Sequence, residues 1–207
     1  MEIGADEALR LGYITVHNYP RIVASLDLYR VRNLSKFEAE DCRGVWLYGL
    51  PGTGKSHYAK LHYPDAFRKN QNKWFDGYTT QKNIILDDLD NHVLAHHLKI
   101  WCDKWSCTGE VKGSTIELVH ENFVITSNYA VDELFPIDHS TRLKEKASEQ
   151  LMLAVLRRVV VHRFDDIYVK GSNCVDHAVQ NDYGMWIHTL IPGPPIEAPA
   201  LIEDPDI

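Results

Sequence analysis

The sequence predicts an α/β fold in which a parallel central sheet is flanked by helices. Three observations lead to this prediction. Continuous apolar runs of four to six residues recur along the chain, segments of helical periodicity separate them, and polar residues follow several of the runs. Strands that are continuously apolar, rather than alternating, are typical of a parallel sheet that helices cover on both faces.

A small helical element precedes the predicted sheet, in residues 1–43. Residues 5–11 have helical periodicity, and Pro20 suits the first turn of a second helix. The apolar residues of that second helix recur at helical spacing: Ile22, Val23, Leu26 and Tyr29. We expect this element to mediate oligomerisation rather than to form a large domain.

The sheet and its helices are expected in residues 44–170. The predicted strands are residues 45–48, 83–86, 123–126 and 159–164, and the predicted helices are residues 57–62, 92–105 and 144–156. Turn signals at Thr108-Gly109 and Lys112-Gly113 predict a hairpin before the third strand. Residues 171–207 form a C-terminal segment that is Pro-rich and acidic at its end, and we expect it to be extended or partly disordered from Ile191 onward.

Composition limits the class of protein. A chain of 207 residues, 44% of them hydrophobic, can bury one good core with a small appended element. No apolar run reaches the ~18 residues that a membrane span needs, and the first residues lack the basic and apolar regions of a secretion signal. We therefore expect an intracellular protein with reduced cysteines and no membrane partner. The net charge of −7 argues against a surface covered in basic residues, although a few lysines can still be concentrated in one channel.

The most specific motif lies between the first apolar run and a predicted helix. It consists of Gly49, Leu50, Pro51, Gly52, Thr53, Gly54, Lys55 and Ser56. In this strand–loop–helix setting, backbone N–H groups and the helix N-terminus can face phosphate oxygens. Lys55 would reach the β- and γ-phosphates, and the Ser56 hydroxyl would help to hold Mg²⁺. The alternative is an ordinary Gly/Pro turn, but the flanking elements favour a nucleotide-binding P-loop.

Polar residues follow the next two predicted strands. Asp87 and Asp88 end one strand, whose carboxyl end in a parallel sheet lies beside the P-loop. We assign Asp87 to Mg²⁺ and Asp88 to the attacking water, against the alternative of two solvated turn acids. Asn128 ends the following strand and can hydrogen-bond the γ-phosphate or the water, although Ser-Asn after a strand is by itself more often a turn.

Two further basic sites complete the candidate set. Arg157 and Arg158 lie where a helix ends and a strand begins, a place where arginine often only complements the helix dipole. In a ring, the same place can present an arginine to the neighbouring subunit's nucleotide, and the sequence does not decide between the two residues. Lys112 and Gly113 lie at the hairpin turn. One such lysine is usually solvated, but repeated around a ring it would form a positive collar for a phosphate backbone.

Five segments together resemble the superfamily 3 helicase region of replication initiator (Rep) proteins, and most closely that of circular single-stranded DNA viruses such as circoviruses. The segments are GLPGTGKS, IILDDLD, GEVKGSTIEL, FVITSN and AVLRRVVVHRF, and the resemblance covers roughly residues 10–170. It implies an AAA+-like P-loop ATPase that uses ATP and Mg²⁺. Residues 49–56 correspond to the Walker A loop, Asp87 and Asp88 to Walker B, and Asn128 to the motif C sensor. Lys112 corresponds to the hairpin that grips single-stranded DNA, and Arg157 or Arg158 to a finger that acts in trans.

The same resemblance implies a DNA helicase of viral rolling-circle replication. Such proteins are hexameric rings that translocate 3′→5′ on single-stranded DNA, in the host nucleus where the host is eukaryotic. This chain contains neither the His-hydrophobic-His motif nor the Tyr-x-x-Lys motif of the Rep nicking nuclease, so we expect no endonuclease activity in it and a full-length Rep or a nuclease in trans as a partner. Two alternatives stay open at this point: a superfamily 3 RNA helicase of RNA-virus type, and a P-loop switch or assembly ATPase with no nucleic-acid role.

Overall fold

The structure is a computed structural model and describes residues 4–32, 34–166, 172–180 and 186–195. The helices are α1 (Ala5–Arg10), α2 (Tyr19–Arg32), α3 (Lys55–His62), α4 (Ala95–Trp101), α5 (Val131–Leu134) and α6 (Arg142–Leu156). The strands are β1 (Gly44–Gly49), β2 (Phe67–Lys69), β3 (Asn83–Leu86), β4 (Cys107–Val111), β5 (Ser114–Leu118), β6 (Asn122–Ser127), β7 (Val159–Phe164), β8 (Ser172–Gln180) and β9 (Trp186–Pro195). Among the helices in these ranges, none is both long and apolar enough to cross a membrane.

Within the described residues, seven strands form one sheet in the order β2-β3-β6-β1-β7-β9-β8. Neighbouring strands are parallel except for β9 and β8, which are antiparallel. This confirms the predicted α/β fold with a parallel central sheet. The predicted hairpin is also present, as the separate antiparallel pair of β4 and β5.

Several predicted helices have different bounds in the structure, and α3 begins at Lys55, two residues earlier than predicted. α4 ends at Trp101, earlier than predicted, because the carbonyls of Asp103 and Trp105 accept hydrogen bonds from the Arg43 guanidinium (2.6 and 2.7 Å) instead of continuing a helix. α6 begins two residues earlier than predicted, because the Thr141 side chain caps it by accepting a hydrogen bond from the Lys144 backbone N–H.

Four elements were not predicted from the sequence: β2, α5, β8 and β9. β2 and α5 are three and four residues long, too short for a periodic signal. β9 includes residues 191–195 of the Pro-rich tail, which are extended as expected, and residues 196–207 lie outside the described part of the chain. The pairing of β9 with β7 stops at residue 190, so the prolines of β9 avoid that ladder and lie where only β8 is the neighbour.

The sheet has a hydrophobic cluster on each face. The residues on the α3 side are Val45, Leu47, Ala59, Ile85, Val124 and Phe164. The opposite face is larger, and there Trp46, Phe123 and Ile125 pack with α4, α6 and the β4–β5 hairpin. Consecutive residues of β1 and β6 therefore point into opposite clusters, which explains why the sequence of each strand is continuously apolar.

The N-terminal helices α1 and α2 contact each other, and α2 packs against β5 of the hairpin. This element leaves several large apolar side chains exposed, among them Tyr13 (72%), Val16 (79%) and Tyr29 (68%). A concentration of exposed apolar side chains in a short segment is typical of a contact surface for another protein. Its role in oligomerisation stays a prediction.

A buried arginine anchors the amino end of the central strands. Arg43 is 2% exposed and donates hydrogen bonds to the backbone carbonyls of Asp103, Trp105 and His120, as well as to the Cys107 Sγ. His120 is fully buried beside it, and its Nε2 lies 2.8 Å from the Trp101 carbonyl oxygen. Burial, and next the charge of Arg43, lower the pKa of His120 to about 3, so this imidazole is neutral in the fold.

We expect His120 to make the folded state sensitive to acid. The unfolded chain protonates this histidine below its ordinary pKa of about 6.5, whereas the folded chain does so only near pH 3, so stability is fully present above pH ~6.5 and is lost as the pH falls toward 3. The His120→Phe variant should lose a dependence of about 1.4 kcal/mol per pH unit in that window. Urea unfolding between pH 4 and 8 measures this slope, with the surface variant His139→Gln as the control. An unchanged slope in His120→Phe would contradict the assignment.

Candidate functional site

The loop after β1 has the backbone conformation of a phosphate-binding loop. Gly52 and Gly54 have φ of +86° and +89°, a region that favours glycine, and α3 begins at Lys55 directly after them. Gly49 has φ of +147°, and a Cβ there would lie 2.2 Å from the Phe164 carbonyl oxygen, so β7 requires glycine at this position. The loop therefore presents backbone N–H groups and the N-terminus of an eight-residue helix at the carboxyl edge of the sheet.

Lys55 connects this loop to the end of β6. Its side chain is 6% exposed, and its Nζ donates to the carbonyl oxygens of Gly49 (2.7 Å) and Leu50 (2.9 Å) and to the Asn128 Oδ1 (3.1 Å). Burial lowers the pKa of the Lys55 ammonium, while the charges of Asp88 and Asp87 act in the opposite direction. The predicted lysine and the predicted asparagine are therefore in direct contact.

Asp87 lies directly against the start of α3. Its Oδ1 accepts hydrogen bonds from the hydroxyls of Ser56 (2.8 Å) and Thr126 (2.6 Å), and its Oδ2 pairs with the Arg68 guanidinium at 3.0 Å. Burial alone would raise the pKa of this carboxyl, but the hydrogen bonds from Thr126 and Ser56, together with the charge of Arg68, hold the pKa below its ordinary value. Asp87 is therefore ionised and adjoins a second hard oxygen donor, the Ser56 hydroxyl.

Asp88 adopts a backbone conformation that is uncommon for a residue with a side chain. Its φ is +54°, and two hydrogen bonds hold it there: its N–H donates to the Thr126 hydroxyl (2.8 Å), and its carbonyl accepts from the Gln71 side-chain amide (2.6 Å). Asp88 and the P-loop line one cavity of about 620 Å³. The P-loop residues of that lining include Lys55 and Ser56, and Asp90 and Asn128 also contribute.

The sequence analysis missed the residues that position the two acids. Thr126 donates its hydroxyl proton to Asp87 and accepts the N–H of Asp88, so one buried hydroxyl bridges both. Thr126 lies in an apolar run that ends beside the P-loop, and a hydroxyl at that place was the signal by which the sequence could have revealed it. Arg68 lies on β2 and Gln71 comes two residues after its end, and since β2 gives no apolar run, the sequence carried no signal for either of them.

Arg157 and Arg158 are not part of this cavity. They precede β7 at the amino edge of the sheet, whereas the P-loop follows β1 at the carboxyl edge. Arg158 is held by the Asp103 carboxylate (2.7 Å) and by the Ala154 carbonyl (2.7 Å), with its side chain 15% exposed. Arg157 is exposed at the C-cap of α6.

Lys112 and Gly113 form the turn between β4 and β5, away from the P-loop. Lys112 is exposed, and Gly113 has φ of +79°. The backbone N–H of Lys112 donates to the Asp76 side chain at 3.0 Å, and Asp27 of α2 lines the same shallow cavity. The predicted residues thus fall into three places: Lys55, Ser56, Asp87, Asp88 and Asn128 come together, while the arginine pair and the hairpin turn each stand apart.

Comparisons with known proteins agree with this arrangement. A protein-family model described as RNA helicase matches residues 45–113, from β1 to the hairpin turn. The replication-associated protein of Goose circovirus is 34% identical over 105 residues, which are 49% of this chain and 36% of that protein. The replication-associated protein of Porcine circovirus 1 is 35% identical over 92 residues (43% and 30%), and that of Human associated cyclovirus 1 is 28% identical over 97 residues (44% and 35%).

These matches, with the fold, support a Rep-like superfamily 3 helicase domain. The matched part of the chain spans about a third of the length of these curated relatives. The family match includes the P-loop, the two acids and Lys112, and it ends before Asn128 and the arginine pair.

We expect the Thr126 hydroxyl to stabilise the fold through the two acids. Thr126→Val keeps the side chain's shape but leaves the N–H of Asp88 without its partner, which should cost about 1–3 kcal/mol of unfolding free energy at pH 7. Thr126→Ser keeps the hydroxyl and is the matched control. Urea unfolding of the three proteins measures the difference, and a valine variant at least as stable as the serine variant would show that the bridging hydroxyl contributes nothing.

Proposed function

We propose that this chain is an ATP-driven helicase motor that translocates on single-stranded DNA during viral rolling-circle replication and acts as a homo-oligomeric ring, most simply a hexamer. The observation that carries the proposal is the convergence of two contacts at one sheet edge, Lys55 with Asn128 and Ser56 with Asp87. Three segments that are distant in sequence thereby form one site beside a helix N-terminus, a place suited to phosphate.

The residues present fit ATP and Mg²⁺. The P-loop amides and Lys55 would hold the phosphates. The Ser56 hydroxyl and the Asp87 carboxylate, both hard oxygen donors, are the ligand types that Mg²⁺ takes from a protein while keeping phosphate and water oxygens. When bound, Mg²⁺ neutralises charge on the β- and γ-phosphates. The lowered pKa of Asp87 keeps its carboxylate available for this role at neutral pH.

Asp88 and Asn128 are suited to act on the attacking water. Both line the cavity that the P-loop opens into. The Asp88 carboxylate would accept the proton of the water, while the Asn128 amide would orient it toward the γ-phosphate. The bond from Lys55 to the Asn128 Oδ1 fixes the side chain's oxygen, which leaves the amide N–H groups to donate.

The position of Arg157 supports a finger that acts in trans. The five residue steps of β1 separate the amino edge of the sheet from the P-loop, a distance of about 16 Å, so this arginine does not reach the nucleotide of its own chain. The Arg158 guanidinium forms an ion pair with the Asp103 carboxylate, whereas Arg157 is exposed. We therefore assign the finger to Arg157, which would stabilise the charge on the transferred phosphoryl group of the next subunit.

A ring also accounts for nucleic-acid binding by an acidic chain. One Lys112 beside Asp27 and Asp76 gives little attraction for a phosphate backbone, but six hairpins around one strand act together. The exposed apolar residues of the N-terminal element, such as Tyr13 and Val16 between α1 and α2, would supply contacts between subunits.

A superfamily 3 RNA helicase is the second candidate, because the matching family model is described as RNA helicase. The relatives are replication-associated proteins of circoviruses and a cyclovirus, which favours replication of DNA. A switch or assembly ATPase without a nucleic-acid role is the third candidate. The effect of single-stranded DNA and of RNA on ATP turnover distinguishes the three candidate functions.

The first experiment is steady-state ATPase with Mg²⁺, alone and with single-stranded DNA or RNA. We expect turnover to rise with DNA and to disappear in Lys55→Ala, because this lysine is the cation at the phosphate site. Lys112→Ala should keep basal turnover and lose the stimulation. Residual turnover of Lys55→Ala near the wild-type rate would contradict the ATPase, stimulation by RNA but not DNA would favour the second candidate, and turnover that ignores both would favour the third.

The finger assignment is tested by mixing inactive subunits. Arg157→Ala alone should lose at least about 10³-fold in turnover, as other trans-acting arginines do. Mixed 1:1 with Lys55→Ala, it should recover about a quarter of the sites, since random neighbours then pair an intact P-loop with an intact Arg157. Arg158→Ala should be less stable, because Asp103 loses its partner, but should remain active when folded. No recovery in the mixture, or the reverse behaviour of the two arginines, would overturn the assignment.

A further inference from the structure

One segment touches both the nucleotide-site acids and the hairpin turn. It comprises residues 68–76, which run from β2 across the end of the sheet, and we call it the β2 linker. At its first end, the Arg68 guanidinium pairs with the Asp87 Oδ2 (3.0 Å), and the Gln71 Nε2 donates to the Asp88 carbonyl (2.6 Å). Each of the two acids therefore has a partner on the same short segment.

The other end of the β2 linker is bonded to the hairpin. The Phe75 N–H donates to the Glu110 carbonyl (2.8 Å), and Lys73 pairs with the Glu110 carboxylate (2.8 Å). The Asp76 Oδ1 then accepts the backbone N–H of Lys112 (3.0 Å) at the turn itself. These contacts fix the hairpin to the linker at β4 and at the turn.

A buried lysine and a buried phenylalanine anchor the linker. Lys69 is 4% exposed, and its Nζ donates to the carbonyls of Asn70 and Asn72 while lying 4.7 Å from the centre of the Phe75 ring and 5.3 Å from that of Trp101. Phe75 is fully buried and packs so closely on β4 that a Cβ at Gly109 would lie 2.7 Å from its ring. Lys69 and Phe75 thus anchor the linker to the core, while residues 70–73 between them are exposed.

The nucleotide site also contains a strained backbone position, Asp88. Asp88 has a positive φ that costs free energy and persists only because Thr126 and Gln71 hold its peptide from both sides. A change at the γ-phosphate position that lets Asp88 return to an extended conformation would release the Gln71 bond and free the linker.

We propose that the β2 linker couples the two sites. The conformation of Asp88 determines the position of Gln71, and the resulting shift of the linker moves the Lys112 turn through its hydrogen bond to Asp76. This inference rests on the proposed function for its biological role, but the mechanical coupling is testable without it. Gln71 and Asp76 are positioning residues, since neither reaches the phosphates or contributes to the proposed DNA contact.

Asp76→Ala and Asp76→Asn form a matched pair for the test. Asp76 is exposed, so both variants should fold, and the asparagine keeps an oxygen that can accept the Lys112 N–H. Two readouts apply: ATPase with and without oligo(dT), and hydrogen exchange of the backbone amides of residues 110–116 with and without Mg²⁺ and a non-hydrolysable ATP analogue.

We expect the alanine variant to keep basal turnover, to lose about fivefold or more of the stimulation by DNA, and to lose the nucleotide-dependent change in exchange at the turn. The asparagine variant should keep all three. Gln71→Ala should also lose the exchange response, and combining it with Asp76→Ala should add little further loss, because both changes break one path.

The outcomes separate this inference from the motor. If Asp76→Ala responds to DNA and nucleotide like the wild type, or if the wild-type turn shows no exchange response to nucleotide, the coupling is wrong and the ATPase assignment stands. If DNA does not stimulate the wild type but nucleotide still changes exchange at the turn in an Asp76-dependent way, the coupling stands and the DNA motor is wrong.

Discussion

The parallel register of β3, β6 and β1 places the groups of the candidate nucleotide site. β6 pairs with β1 from Gly44 opposite Phe123, and with β3 from Asn83 opposite Asn122, so the polar residues that follow each strand reach the same edge. Since side chains alternate along a strand, a slip of one residue in β6 would exchange its two buried faces and turn the Thr126 hydroxyl away from Asp87. Apolar packing on both faces therefore fixes the register, and the register brings the acids to the P-loop.

Charge balance is the second constraint on this edge. Arg68 pairs with the Asp87 carboxylate, which also accepts from the hydroxyls of Ser56 and Thr126. Lys55 donates to two backbone carbonyls and to the Asn128 side chain, and the nearby charges of Asp88 and Asp87 favour its ammonium form. Partly buried charges of this kind are tolerable only when they are paired and hydrogen-bonded. The P-loop amides and the start of α3 add positive potential on the open side of the cavity, which is therefore the side suited to an anion.

The sequence predicted those parts of the fold and site that have a local pattern. The apolar strands, the P-loop and the acids after β3 were recognisable because each is a short run with a fixed order, and Asn128 followed from its place after β6. β2, Arg68 and Gln71 were not predictable, because a three-residue strand with two charges has no periodic signal and its contacts with the acids exist only once β2 pairs with β3. The sequence could not distinguish Arg157 from Arg158, because they are adjacent and of the same type. The structure distinguishes them, because the Asp103 carboxylate, in the segment after α4, pairs with Arg158.

The separation of the three groups of residues has a consequence for how the chain would act. The P-loop with its acids lies at the carboxyl edge of the sheet, Arg157 lies at the amino edge, and Lys112 lies on a hairpin outside the sheet. Under the proposed function, an isolated chain would therefore have its nucleotide site far from its own Arg157, and a hairpin with an exposed lysine beside acidic neighbours. Stacking copies head to tail, with the amino edge of one against the carboxyl edge of the next, would complete the nucleotide site, and closing that stack into a ring would bring the hairpins around a common axis. Because both deficiencies of the single chain are removed by the same assembly, catalysis and nucleic-acid binding would depend on protein concentration together, through one equilibrium rather than two.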